Sequence, residues 1–126
     1  MIILKLDYDC IRYILLSVEA SDDNRLIASS LANDKYDVKN IIYHVECLLD
    51  VNYLDVSKPI QELDVAYNDY FIYRITMFGH QFLDTIRDNS IWSKTKSTAK
   101  EVGATTLKSI LTIAENIIST VIASKF

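Results

Sequence analysis

The sequence predicts a mixed α+β fold for this chain of 126 residues. Glycine occurs twice and proline once, and this scarcity favours long regular elements, mainly helices. Several segments repeat apolar residues at the three- and four-residue spacing of an amphipathic helix. The segment YFIYRI, residues 70–75, instead has the aromatic and β-branched content of a strand. A chain of this length can bury one hydrophobic core without disulfides or metal ions.

Two amphipathic helices are predicted in the first half of the chain. Asp7 can cap a helix that ends near Glu19, and Asp37 can cap a second helix that ends near Asp50. We interpret residues 25–31, between these helices, as a short strand. The second helix carries an apolar stripe along one face. The residues of this stripe are Val38, Ile41, Ile42, Val45, Leu48 and Leu49.

Residues 53–56 and 70–75 are predicted to be two further strands. Between them, residues 58–68 contain the only proline and several acidic side chains, which is typical of a wing-like loop. The order helix, strand, helix, strand, loop, strand is that of a winged helix that lacks one helix. We therefore predict a reduced winged-helix-like body over residues 1–88, with the second helix at the recognition position.

The last third of the chain is predicted to be helical. Thr76 caps a helix over residues 77–88, and residues 89–126 form a C-terminal extension with helices over 90–102 and 105–124, separated by Gly103 as a C-cap. The apolar stripe of the last helix is too wide to stay exposed in a monomer. We expect it to pack across the body or to pair with a second copy. The candidate dimer residues are Leu107, Ile110, Leu111, Ile117, Ile118 and Val121.

Charge is distributed unevenly along the chain. Residues 1–88 carry eight basic and fifteen acidic side chains, a net charge of −7, whereas residues 89–126 carry five lysines and two glutamates, a net charge of +3. Proteins that grip duplex DNA do so with clustered lysine and arginine. The acidic body therefore disfavours DNA binding as the main function.

No motif of a known catalytic site stands out in the sequence. It has no glycine-rich phosphate loop and no Gly-x-Ser-x-Gly elbow, and Cys10 and Cys47 lie in apolar contexts that predict reduced, buried thiols. A zinc site made by these cysteines with His44 and His80 lacks the usual ligand spacing, so we expect both histidines to hydrogen-bond at helix junctions. We predict no enzymatic activity, no metal ion and no cofactor.

Neither a signal peptide nor a transmembrane helix is predicted. The segment MIILKLDYD has no basic lead, and no run of about 18 apolar residues without charges occurs. The predicted location is the cytoplasm of a bacterial host cell, without membrane association.

A set of short motifs resembles a family of small proteins from phages and prophages of Gram-positive bacteria, whose domain has no known function. The motifs are a helix of the type DCIRYILLSVE at residues 9–19, the pair Tyr43-His44 before Leu48-Leu49, and the segment TMFGHQFLDTIRDNSIW at residues 76–92. Where the family has a glycine-containing turn after the second helix, this chain has Asn52, which can also adopt a left-handed conformation. The resemblance implies a winged-helix-like fold and a mobile-element origin, and it brings no active site.

The leading functional hypothesis is a non-catalytic phage- or prophage-type interaction protein. It would bind a host macromolecule, most simply a protein, and inhibit a host defence or regulatory system. The alternative is a small DNA-binding winged-helix transcription regulator of a mobile element, and a third hypothesis is an assembly factor that acts as a homodimer. The candidate interaction face comprises Lys39, Asn40, Tyr43, Glu46, Asp64, Tyr67 and Asp69.

Overall fold

A computed structural model of the chain describes residues 5–23, 25–61 and 65–125. Within these residues the chain forms five α-helices and a small antiparallel sheet, which confirms the predicted α+β class. The helices are α1 (Tyr8–Ala20), α2 (Val38–Asp50), α3 (Met77–Ile86), α4 (Asn89–Val102) and α5 (Leu107–Ala123). The strands are β1 (Leu26–Ile27), β2 (Leu54–Val56) and β3 (Phe71–Ile75).

Side-chain caps start the helices where the sequence places capping residues. The Asp7 carboxylate accepts hydrogen bonds from the first turn of α1, and the Asp37 carboxylate accepts one from the first turn of α2. α3 ends at Ile86 rather than at the predicted Asp88, because the Asp88 carboxylate accepts from the Ile91 amide and caps α4 instead. Gly103 ends α4 with φ of 70°, as expected for a left-handed C-cap.

The segment 25–31 forms less strand than the sequence predicts. Within this segment, Leu26 and Ile27 of β1 pair with β3, and residues 28–31 continue as a short 3₁₀ helix. The chain leaves the sheet after Ile27, where side chains take over the hydrogen bonds of the backbone. The Asp69 carboxylate accepts from the Ser29 amide, and the Ser30 hydroxyl donates to the Ile27 carbonyl. The prediction of a longer strand is therefore wrong after Ile27.

The sheet has the strand order β1-β3-β2, with both pairings antiparallel. Its register shifts by one residue between Asp55 and Val56, which is a β-bulge. At the base of the predicted wing loop, Ile60 and Asp69 form an isolated antiparallel bridge with two backbone hydrogen bonds of 2.8 Å. The long β3 strand thus organises the sheet and ends directly before α3.

The start of α3 packs closely on the turn before β2. Asn52 has φ of 60° and so adopts the left-handed conformation expected of it. Its carbonyl accepts a hydrogen bond of 2.5 Å from the Thr76 hydroxyl, which in turn accepts from the Gly79 amide at 3.1 Å. A Cβ on Gly79 would clash with the Tyr53 carbonyl and lie 2.6 Å from the Ile75 side chain. Glycine is therefore required here for the close approach of two backbones.

The chain divides into two compact units, Met1–His80 and Gln81–Phe126. In the first unit, α1 packs on α2 and on β3, and α2 also contacts β2 and the 3₁₀ helix. The core of this unit is fully buried and mainly aliphatic. Its central residues are Cys10, Ile11, Ile14, Leu15, Ile41, Val45, Leu48, Leu54 and Ile72.

In the second unit, α4 packs against α5. Thr95 and Ala99 of α4 are buried, and so are Leu107, Ile110 and Ala114 in the first half of α5. Among the described helices, including the 17 residues of α5, none is both long and apolar enough to cross a membrane.

Candidate functional site

His44 joins the beginning of α1 to α2. Its ring is buried, with Nε2 accepting a hydrogen bond of 2.8 Å from the Asp7 amide and Nδ1 lying 2.7 Å from the Asn40 carbonyl. Because Nδ1 faces an acceptor and Nε2 faces a donor, the ring is neutral with its hydrogen on Nδ1. The predicted junction role is confirmed for His44, whereas His80 is exposed.

The two cysteines are free thiols on neighbouring helices. Burial raises the pKa of Cys10 to about 12 and also raises the pKa of Cys47. Both side chains are therefore protonated at neutral pH, in the form that is a poor nucleophile and a poor metal ligand. Among the described residues, no group of three or more His, Cys, Asp or Glu side chains is placed to hold a metal ion.

Three of the predicted interaction residues lie together on α2. Lys39, Tyr43 and Glu46 follow each other at four- and three-residue spacing, which places them on one helix face. With Tyr67 from the loop after β2, they line an open hollow of about 380 Å³, which we call the α2 hollow. The structure thus brings together four of the seven residues that the sequence predicts.

A part-buried hydrogen bond and a ring contact hold the walls of the α2 hollow. The Tyr70 hydroxyl donates a hydrogen bond of 2.6 Å to the Glu46 carboxylate, and burial together with this bond raises the pKa of Tyr70 to about 12. The Tyr43 ring meets the His44 ring edge-on at 5.1 Å between centroids. Interaction with Cys47, one turn along α2, raises the pKa of Tyr43. The hollow therefore presents two tyrosine rings between the Lys39 ammonium and the Glu46 carboxylate, which is held by Tyr70.

The other predicted interaction residues have different positions. Asn40 is half-buried, and its carbonyl faces the His44 ring. The Asp69 carboxylate accepts hydrogen bonds from the Ser29 and Tyr70 amides, at 3.1 and 2.8 Å. It therefore links the 3₁₀ helix to the residue that precedes β3. Asp64 lies outside the described residues.

A second hollow in the first unit was not predicted from the sequence. It has a volume of about 480 Å³ and lies between the end of α1, β3 and the start of α3. We call it the α1–β3 hollow. The acidic run after α1 and the outward position of Tyr73 on its strand are the sequence signals that could have indicated it. Its lining consists of Val18, Glu19, Ser21, Asp22, Asp23, Tyr73, Arg74, Ile75, Met77 and His80.

The predicted dimer residues on α5 divide into two groups. Leu107 and Ile110 are buried within the second unit, whereas Leu111, Ile117, Ile118 and Val121 are half-buried. An apolar groove of about 410 Å³ runs between α4 and the second half of α5. Its lining residues are Lys94, Thr98, Ile113, Asn116, Ile117, Thr120 and Val121.

Comparison with known proteins places the chain in a family. Residues 5–105 match the family model described as Hypothetical protein (DUF2513). The chain belongs to this family. One protein of Haemophilus influenzae, named Uncharacterized protein, is 28% identical to this chain over 126 residues. That alignment covers 95% of this chain and 100% of the Haemophilus protein. No solved structure matches the chain significantly.

The DUF2513 region contains the α2 hollow and the α1–β3 hollow. It also contains the motif residues Thr76, Gly79 and Trp92, which the structure shows as a helix cap, a close-packed backbone and a buried side chain. α5 begins after the matched residues, at Leu107. The lining residues of the α2 hollow and of the α1–β3 hollow therefore all lie within the DUF2513 match.

Proposed function

We propose that the chain is a non-catalytic interaction protein that binds a protein partner through the α2 hollow. The observation that carries this proposal is the pairing of Tyr43 and Tyr67 with Lys39 and Glu46 in one open hollow. Tyrosine contributes a large contact area and a hydrogen-bonding hydroxyl, and it is enriched at protein interfaces. Charges of opposite sign at the rim fix the orientation of a partner.

The charges around α2 favour a protein over a nucleic acid. Lys39 is the cation of the α2 hollow, and it shares the helix with Glu46 and Asp50. Arg74 of β3 adds no net positive charge to this region, because its Nε lies 2.7 Å from the Asp55 carboxylate. Duplex DNA requires several clustered cations, so this helix face is a poor match for phosphates. The DNA-binding regulator remains the alternative that the experiment below tests.

A binding role also agrees with the state of the reactive side chains. The Cys10 thiol is fully buried with a pKa of about 12, and both ring nitrogens of His44 face hydrogen-bond partners. Neither group is placed to attack a substrate or to transfer a proton. These features support a protein without catalytic activity.

The proposal extends to origin, fold and location. The motifs at residues 43–49 and 76–92 support a phage or prophage gene, whose product acts in the cytoplasm of the host. The helix and strand order and the sheet order β1-β3-β2 support a winged-helix-like body over residues 1–88, followed by helices over 89–126. Proteins that bind nucleic acid do so through basic grooves, and the net charge of −7 on residues 1–88 is complementary to such a groove on a partner. The proposed target is therefore a host defence protein that handles nucleic acid.

A pull-down from a lysate of the host bacterium tests this proposal. The bait is the full chain, and each sample is run with and without nuclease. The expected result is a protein band that persists after nuclease and is lost with the double variant Tyr43→Ala/Tyr67→Ala. The matched control is Phe78→Ala, which removes an exposed aromatic side chain that lines neither the α2 hollow nor the α1–β3 hollow.

Two outcomes contradict the proposal. Loss of all captured material after nuclease would mean that the partner is a nucleic acid and would favour the regulator. Equal capture by the double variant and the wild-type chain would mean that the α2 hollow is not the binding surface. Circular dichroism of each variant establishes that a loss of capture does not come from unfolding.

A further inference from the structure

We infer that the α1–β3 hollow binds an arginine or lysine side chain from a basic peptide segment of a partner protein. This surface differs from the α2 hollow, so the inference does not depend on the proposed function. It rests on three observations. The rim of the hollow is negative, one wall is apolar and exposed, and the arginine of the lining, Arg74, already forms an ion pair with Asp55.

The negative rim has two physical sources. α1 ends at Ala20, and its last turn has no basic residue to offset the partial negative charge of the helix C-terminus. Asp22 and Asp23 follow after Ser21 and are exposed in the lining of the hollow, and the Asp23 carboxylate accepts a hydrogen bond of 2.8 Å from the Arg25 amide. The helix end and these carboxylates attract the same kind of ligand, namely a cation.

The cationic groups already in the hollow do not cancel this potential. Arg74 is the arginine of the lining, and its Nε lies 2.7 Å from the Asp55 carboxylate on the paired strand. His80 is exposed at the start of α3 and is the other basic group of the lining. The hollow therefore presents more negative than positive charge to an approaching ligand.

Besides the acidic residues, the lining contains an apolar wall formed by Tyr73 and Met77. Met77 is 68% exposed and Tyr73 is 45% exposed, which are large values for side chains of this kind. A lysine or arginine side chain has an apolar stem and a charged head, so it can cover Met77 while its head meets the carboxylates. The Tyr73 ring adds a face for a cation–π contact. A simple metal ion would gain nothing from this wall.

The dimensions also suit a peptide side chain. The volume of about 480 Å³ lies within the range of about 300–1,000 Å³ that is typical of ligand pockets. The hollow is open to solvent, as required if the ligand is part of a longer chain. These observations together favour a basic peptide over a small free ion.

Binding of a defined peptide tests the inference. The probe is a fluorescein-labelled hexa-arginine peptide, and its fluorescence anisotropy is measured against the full chain, with a labelled hexa-glutamate peptide as the negative probe. Asp22→Asn/Asp23→Asn should weaken hexa-arginine binding by about fivefold, the size expected for two exposed charge pairs. The control Asp34→Asn/Asp50→Asn makes the same change in net charge at exposed positions outside the hollow.

A second variant tests the apolar wall without a change of charge. Tyr73→Ser/Met77→Ser should also weaken hexa-arginine binding, by about threefold, because both side chains are exposed and contribute contact area. Equal weakening by both aspartate double variants would overturn the inference, since binding would then follow net charge alone. Unchanged binding by Tyr73→Ser/Met77→Ser would overturn it as well.

The two proposals fail separately in these assays. Tyr43→Ala/Tyr67→Ala should leave hexa-arginine binding unchanged, because neither side chain lines the α1–β3 hollow. Loss of hexa-arginine binding in that variant would contradict the assignment of the peptide to this hollow. Far-UV circular dichroism of every variant excludes unfolding as the cause of a loss.

Discussion

The two units of the chain bury their polar groups in different ways. In the unit Met1–His80, His44 bonds to the amide of Asp7, 37 residues away, and the Thr76 hydroxyl bonds to the Asn52 carbonyl, 24 residues away. In the unit Gln81–Phe126, the buried Thr95 hydroxyl bonds only to the Ile91 carbonyl of its own helix. The first unit therefore depends on particular long-range contacts, and the second on helix formation and apolar burial.

The consequence is a difference in tolerance to substitution. A lost long-range polar contact leaves a donor or acceptor without a partner, which costs more than a lost contact between apolar groups that can repack. The chain also provides separate reporters for the two units. All eight tyrosines lie in the first unit, and the single tryptophan, Trp92, lies in the second. Near-UV tyrosine dichroism and tryptophan fluorescence can thus follow the units independently.

The largest expected effect is that of Gly79→Ala. The added Cβ would clash with the Tyr53 carbonyl, and backbone cannot move aside as a flexible side chain can. We expect a loss of at least about 3 kcal/mol in the free energy of unfolding, measured by urea denaturation. The control is Gly103→Ala, where nothing lies within 4 Å and the cost comes only from φ of 70°. That cost should be about 1 kcal/mol.

A similar loss for the two glycine variants would contradict the close packing of α3 on the turn before β2. A larger loss of stability for Gly103→Ala than for Gly79→Ala would mean that the second unit, and not the first, tolerates substitution less well. The tyrosine signal should report the Gly79 variant, because Gly79 and its neighbours Tyr53 and Ile75 all lie in the first unit.

The next effect concerns the buried histidine. His44→Phe keeps a ring of similar size but removes the acceptor of the Asp7 amide. We expect unfolding to become easier by about 2 kcal/mol, the cost of a partly buried donor without its partner. The matched change in the second unit is Thr95→Val, which removes only a bond within α4. It should cost less than about 1 kcal/mol, because the Ile91 carbonyl belongs to the helix ladder in any case. Equal losses of stability in the two variants would show that the cost of losing a hydrogen bond does not depend on the sequence separation of its partners.

A third effect depends on pH and also belongs to the first unit. The pKa of Cys10 is 9.0 in an exposed thiol and about 12 in the folded chain. Between these values the unfolded state loses its proton first, so the stability is constant below about pH 9 and falls as the pH rises above it. From pH 9 to 10.5 the fall should be on the order of 1–2 kcal/mol.

Urea unfolding at pH 7, 9 and 10.5 measures this fall. Cys10→Ala should make the curve flatter above pH 9, although its stability at pH 7 is lower because a buried atom is lost. The second unit contains neither cysteine nor tyrosine, so this source of alkaline sensitivity is absent from it. An equally steep fall in Cys10→Ala would assign the effect to other groups, among them Tyr36 and Tyr70, whose pKa values are also raised to about 12.

The smallest effect is expected from association through α5. Residues 111–124 contain Glu115 as the only charged residue, and the groove beside α4 is apolar, so a second copy is the proposed occupant. Ile117→Glu/Val121→Glu should weaken dimerisation at least about tenfold in sedimentation equilibrium. Thr112→Glu/Ser119→Glu places the same charges at exposed positions and serves as the control. A wild-type chain that sediments as a monomer at high concentration would exclude the dimer.

The sequence by itself determined the helices and several of their caps. Asp7, Asp37 and Gly103 act as caps because capping depends on a side chain or a φ angle within a few residues. The β3 strand was predicted for a similar reason, since its aromatic and β-branched composition is local. The face formed by Lys39, Tyr43 and Glu46 follows from helical periodicity alone.

Only the tertiary structure decided which distant groups meet. Asp69 looked like a surface residue in the sequence, yet its carboxylate accepts from the Ser29 amide, 40 residues away. The α1–β3 hollow likewise combines the end of α1 with β3 and the start of α3. Local patterns carry no information on such pairings, because they arise from how the apolar faces of separate elements pack together. That packing set the strand order, the neutral state of His44 and the need for glycine at position 79.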